Sequence, residues 1–127
     1  MNQELQPSPV WDPAVLLDLQ DQLDDADGAL CRDIIAAFLQ QGRQLVDRLE
    51  RLAAAADRAG LLAGAHSLRG STLTVGGTRL AELCGQLERG ELAEPATDTA
   101  RRVRQEFQAL AEQLHRWPAA VAAGEAR

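Results

Sequence analysis

Apolar residues in this chain recur with the period of an α-helix, and nowhere with the period of a strand. Leu30, Ile34, Phe38, Leu45, Leu49 and Leu52 repeat at three-, four- and seven-residue spacing, as one buried stripe on a long helix requires. Val103, Phe107, Leu110, Leu114 and Trp117 repeat at spacings of 4, 3, 4 and 3. No segment alternates apolar and polar residues with period two, so the chain is read as all-α.

Helix punctuation divides the sequence. Residues 1–11 form a flexible lead, where Pro7 and Pro9 discourage regular structure. Asp12-Pro13 starts a short first helix, with Asp as N-cap and Pro at the first helical position. Its apolar face is Val15, Leu16, Leu19 and Leu23. Asp24, Asp25, Asp27 and Gly28 then make a polar break whose acids suit the start of the next helix. The second helix runs from about Gly28 to Ala55, and Asp57 caps a third from about Arg58 to Val75. Gly76-Gly77 ends that helix, and a fourth follows on Leu80, Leu83, Cys84 and Leu87. Residues Gly90 to Pro95 are a loop, and the last helix ends before Pro118. Connections this short join antiparallel neighbours. The expected fold is an antiparallel up-down-up-down four-helix bundle over residues 12–117, with a short additional N-terminal helix and a flexible tail at 118–127.

A chain of 127 residues suits one domain, and its 46% apolar content supplies one core. The formal charge of −6 argues against nucleic acid as a partner. No run approaches the roughly 20 apolar residues of a membrane span, so a cytoplasmic protein that does not engage a membrane is expected. Cys31 and Cys84 lie within apolar helical patterns and are read as core thiols. His66 and His115 are the only histidines, without metal-ligand spacing, so no metal site is expected.

The third helix carries the most informative segment, Ala65-His66-Ser67-Leu68-Arg69-Gly70-Ser71-Thr72-Leu73-Thr74-Val75-Gly76. Leu61, Ala65, Leu68, Thr72 and Val75 share its core stripe, and His66 lies about 140° around the helix from it. The histidine therefore faces solvent. Arg69 and Gly70 lie one turn along, and Leu62 and Leu73 fall near the same line. Each feature alone has a bland reading: a surface histidine, a solvated cation, a scattered leucine. A glycine inside a helix is harder to dismiss, since it costs about 0.5–1 kcal/mol relative to Ala. Together they suit a nucleophile that takes a phosphoryl group from a large partner. Neutral imidazole is the attacking form and predominates for an ordinary histidine at neutral pH. Arg69 would offset the charge the phosphoryl group brings, and Gly70 would leave room for the partner's loop. Leu62 and Leu73, with Ala59 and Ala63, would give an apolar docking rim. If the third and fourth helices form a hairpin about Gly76-Gly77, Glu88 stands at nearly the height of His66. It could then hold one ring nitrogen, although a plain surface carboxylate fits its position equally well.

These residues, followed by Gly76, Leu80-Ala81-Glu82-Leu83-Cys84 and Leu87-Glu88, resemble the signature of histidine-containing phosphotransfer (HPt) domains of two-component phosphorelays. The likeness covers roughly residues 12–117. It implies that His66 is the phosphoacceptor, Arg69 the basic residue beside it, Gly70 the small residue that admits a receiver, and Glu88 the polar residue that holds the imidazole. Arg69 stands where the family often has lysine, which changes the geometry of the cation but not its sign. The resemblance also implies a monomeric phosphocarrier with no kinase activity. Its partners would be response-regulator receiver domains, including that of a hybrid histidine kinase. No cofactor would be bound by this chain, Mg²⁺ belonging to the receiver. Two other readings stay open: an HPt-like docking module that regulates a receiver or kinase without accepting phosphate, and a plain oligomerising bundle.

Overall fold

The computed structural model describes residues 8–117. Among them are five helices and no strand: α1 (Pro13–Gln22), α2 (Ala29–Ala54), α3 (Arg58–Val75), α4 (Thr78–Glu88) and α5 (Ala96–Leu114). α2 packs on α3 and α5, α3 on α4, and α4 on α5, which closes a four-helix ring around one core. α1 packs against α2 and α3. This is the antiparallel bundle with an added N-terminal helix that the apolar periodicity predicts.

The helix starts are fixed by side chains that take up amide donors left without an intrahelical partner. Asp12 accepts from the Ala14 amide at 3.1 Å, and Asp57 accepts from Gly60 at 3.0 Å. α2 is capped from further upstream: Asp27 accepts from Ala29 at 3.0 Å, and Asp25 from Leu30 and Cys31 at 3.1 and 2.9 Å. Burial pushes the Asp25 carboxyl up, but the amides of Cys31 and Leu30 outweigh it and hold the group below the ordinary carboxylate range. α3 ends at Gly76, whose φ of +88° suits glycine.

The core contains Leu16, Val46, Leu49, Leu68, Val75, Leu80, Val103, Leu110 and Leu114, all at most 1% exposed. The stripe expected on α2 is displaced around the helix. Cys31, Ile35, Phe38, Leu39, Gly42, Val46, Leu49 and Ala53 are its buried residues. Leu30 is 49% exposed, and Ile34, Leu45 and Leu52 are half-buried. The reason is that α2 must serve two neighbours. Its broad buried face turns toward both α3 and α5, and Leu45 and Leu52 fall on the edge nearer α3. On the α5 side, Arg104 bridges Asp47 and Glu50 of α2 and ties the outer edges of the two helices together.

Residues 1–7 of the expected lead, and the expected tail at 118–127, lie outside the described residues. The last four residues of the lead are tied down. Trp11 donates its indole N–H to the Val75 carbonyl at 2.9 Å and meets the Trp117 ring edge-on at 6.5 Å. Thr78 Oγ1 donates to the Pro9 carbonyl at 2.5 Å, and the Asp12 amide donates to Gly76 at 2.8 Å. Covering one end of the core with an indole removes apolar surface from water, and that gain outweighs what the prolines cost in regularity.

Two predictions concern stability. A Cβ at Gly42 would stand 2.5 Å from the Phe107 ring, which is itself packed on Phe38. Overpacking costs about 1–3 kcal/mol and Ala returns about 1 kcal/mol of helix propensity, so Gly42→Ala should destabilise by on the order of 1 kcal/mol in urea unfolding. Equal or greater stability would contradict the close approach of α2 and α5. For Asp25 the folded-state pKa is depressed, so its contribution is present above the ordinary carboxylate range and lost as the pH falls through it. Asp25→Asn should unfold less steeply than wild type as the pH falls below about 4, measured by circular dichroism.

Candidate functional site

α3 buries Leu61, Gly64, Ala65, Leu68, Thr72 and Val75. A helix that commits that stripe to the core must turn its opposite side outward. His66 is there with its side chain 69% exposed. Ala59, Ala63 and Gly70 are also exposed, Leu62 is half-buried and Leu73 is 46% exposed. Spaced three and four apart, these residues form one strip along α3 with His66 near its middle. His115 is exposed at the end of α5; its amide donates to the Ala111 carbonyl at 3.0 Å, and its imidazole makes no hydrogen bond among the described residues.

The tight turn at Gly76-Gly77 brings α4 back along α3. Gly77 leaves no space for a side chain, because a Cβ there would stand 2.5 Å from Leu110 and 2.6 Å from Thr72. The return places Glu88, 31% exposed, where its Oε2 meets His66 Nδ1 at 2.6 Å. A carboxylate only accepts, so Nδ1 must be the protonated nitrogen. In a neutral ring that leaves Nε2 with the lone pair, and the ring is held in one orientation.

The surroundings of His66 divide into an open side and a charged side. At Gly70 a Cβ would meet nothing within 4 Å, so no packing demand explains the glycine. Arg69 is half-buried and leans across to α4. Its Nε and Cδ lie 3.4 and 3.7 Å from where a Gly85 Cβ would sit. The Nη1 of Arg89 lies 3.1 Å from the same point, and Arg89 also holds Glu91 through two bonds of 2.9 and 3.0 Å. Gly85 and Arg89 are absent from the site expected from sequence. Their signal was the spacing on α4, where residues 85, 88 and 89 share one face.

Two depressions flank the strip. Leu62 lines a cavity of about 150 Å³ with Arg58, Leu61, Leu87 and Leu92. Ser67 and Ser71 border a groove of about 550 Å³ with Gln44, Leu45, Arg48 and Arg51 of α2. Burial pushes the Cys84 thiol up to about 12, with the charge of Glu88 acting in the same direction, and burial likewise raises Cys31. Both thiols are buried, and these shifts favour the thiol over the reactive thiolate. Among the described residues no helix is long and apolar enough to cross a membrane, and no three His, Cys, Asp or Glu are grouped as metal ligands would be.

Comparison with known proteins decides what kind of bundle this is. A family model described as the Hpt domain matches residues 33–117, which includes all of α3, α4 and α5. The chain belongs to the Hpt domain family. A crystal structure of histidine-containing phosphotransfer protein B (HptB) from Pseudomonas aeruginosa PAO1 is similar to it. The TM-score is 0.75 at 25% identity, covering 89% of this chain and 97% of that one. No curated protein sequence matches the chain. As an Hpt domain, it has histidine phosphotransfer within a phosphorelay as its broad role, and a phosphocarrier's part in it.

The open space at Gly70 gives a prediction that separates stability from access. Gly70→Ala should raise stability by about 0.5–1 kcal/mol, because the helix gains propensity and no neighbour resists. Thermal unfolding tests this, and a destabilised variant would mean that residue 70 is packed.

Proposed function

We propose that His66 is the phosphoacceptor, taking a phosphoryl group from the aspartyl phosphate of one receiver domain and passing it to the aspartate of another. The reading rests above all on the 2.6 Å contact between His66 Nδ1 and Glu88. It gives an exposed imidazole one defined tautomer, with Nε2 as the attacking atom. The Nε2 lone pair attacks phosphorus, a P–N bond forms, and the P–O bond to the donor aspartate breaks, its electron pair leaving on that carboxylate. The proton on Nδ1 stays where it is. Glu88 offsets the positive charge that the ring gains, so the proton need not be released before the reverse step. Run backwards against a second receiver, the same atoms deliver the phosphoryl group and restore the neutral ring.

The remaining site residues take supporting roles. Arg69 supplies positive charge within one turn of the phosphoryl oxygens. Gly70 keeps side-chain bulk away from the receiver's catalytic loops, at a cost in helix stability that nothing else in the fold explains. Leu62, Leu73, Ala59 and Ala63 form the apolar rim on which a receiver docks. The chain acts as a cytoplasmic monomer and has no kinase activity of its own. It binds no cofactor in this scheme, since Mg²⁺ is held by the receiver. The receiver of a hybrid histidine kinase is one suitable donor.

Incubation with a phosphorylated receiver domain and Mg²⁺ tests the proposal. Wild type should acquire acid-labile, base-stable phosphate, and His66→Gln should acquire none while keeping its stability within about 0.5 kcal/mol. Gly70→Gln should fold at least as well as wild type and accept phosphate more slowly. Phosphate on His66→Gln, or none on wild type across several receivers, would overturn the assignment.

A further inference from the structure

Two guanidinium groups converge, one turn along α4 from Glu88, on a spot that carries no side chain. That spot is Gly85, on the face of α4 shared with Glu88. Arg69 reaches it from α3, with Nε 3.4 Å from the position of a Gly85 Cβ. Arg89 folds back onto it from one turn further along α4, with Nη1 at 3.1 Å. Like charges repel, so such a meeting is unfavourable unless anions balance it. Glu91 balances Arg89, whereas among the described residues no carboxylate pairs with Arg69.

We propose that Arg89 is a second cation of the phosphoryl site, held by Glu91 while His66 is unmodified and shared with the phosphoryl oxygens once His66 carries them. This rests on the reading of His66 as phosphoacceptor. Charge is the reason a second cation is needed. Glu88 places a carboxylate 2.6 Å from the ring, so the incoming group, with roughly −1.5 to −2 of charge, arrives beside an existing anion. The charge gained by the ring offsets Glu88 and Arg69 offsets one phosphoryl charge, which leaves roughly −0.5 to −1 without a partner. Arg89 follows Glu88 directly at the end of α4, is 55% exposed, and is paired with an equally exposed partner, Glu91 at 53%. An exposed ion pair of this kind holds its partners weakly, so a multiply charged phosphoryl group competes well for the guanidinium. Gly85 is the opening that permits it, because any side chain there would crowd both arginines. No bond is made or broken in this exchange: Arg89 trades one set of oxygen acceptors for another.

The competing account is that Arg89 merely ends α4, complementing the helix dipole and forming a surface pair with Glu91. The two accounts differ in sign. If the pair is only structural, Arg89→Ala and Glu91→Gln remove the same interaction and act alike. If Glu91 competes with the phosphoryl group, the two variants act oppositely on transfer. The experiment charges one receiver domain, removes the donor, mixes it with the full chain and Mg²⁺, and reads the ratio of labelled phosphate on the two proteins at equilibrium. Arg89→Ala should shift the ratio toward the receiver by about fivefold, the upper end for one exposed charge. Arg89→Lys should keep most of the wild-type ratio, and Glu91→Gln should shift it toward His66. Melting temperatures of all three should stay near wild type. An unchanged ratio in Arg89→Ala, or shifts of the same sign in Arg89→Ala and Glu91→Gln, would remove Arg89 from the site and leave His66 as phosphoacceptor. Absence of phosphate on wild type would overturn both readings.

Discussion

The turn at Gly76-Gly77 sets the register on which the site depends. Gly76 takes a φ of +88° and donates back to the carbonyls of Thr72 and Leu73, which stops α3. A side chain there would also run into the Asp12 carbonyl, and one at Gly77 would strike Leu110 and Thr72. With both residues reduced to backbone, α4 starts at once and lies close along α3. Pairing across such a hairpin is fixed by residue count from the turn. One residue more or less in the turn would rotate α4 by about 100° and carry Glu88 off the face that meets His66. The segment before α1 closes the same turn from outside, through the contacts of Pro9, Trp11 and Asp12. The N-terminal segment therefore supports the site without touching it.

A site on the outside of a bundle has to be ordered without burial. His66 gains orientation from one strong contact rather than from packing, since a charge-assisted hydrogen bond at 2.6 Å is short enough to hold an exposed ring. Gly70 reverses the usual trade. The fold would accept a methyl group there at no steric cost, and the helix would gain from it. Three other helix or turn glycines are explained by contact: Gly42 against Phe107, Gly64 against Leu49, Gly77 against Leu110. Gly70 alone among these faces open space, and it does so one turn from the histidine.

The all-α class, the helix boundaries and the phase of α3 were legible in the sequence because each follows from local rules. Asp12-Pro13, Asp57 and Gly76 act within a few residues of themselves, and α3 has its core on a single stripe, so one angle placed His66 outward. α2 was harder for a physical reason. It packs against two helices at once, and a broad apolar face has no single line, so the sequence reading followed its edge through Leu30, Ile34, Leu45 and Leu52. The packing of Trp11 was illegible for a related reason. It depends on Val75 and Trp117, far away in sequence, and two nearby prolines masked the anchoring value of one indole.

Within the site, legibility followed the helix that supplied each residue. α3 presents His66, Arg69 and Gly70 through spacing within one element, and spacing can be read directly. α4 supplies the charges that act on them, and these depend on which way flexible side chains lean across an interhelical gap. Glu88 could be placed by counting from the turn, since only its height mattered. Arg69 could not: counting sets its Cα near His66, but its long stem lies over Gly85 on the opposite helix, where the absence of a Cβ makes room. On the proposed reading, phosphoryl chemistry is therefore a property of the helix pair. α3 fixes where the imidazole stands, and α4 fixes its tautomer and the electrostatic field into which a phosphoryl group would arrive.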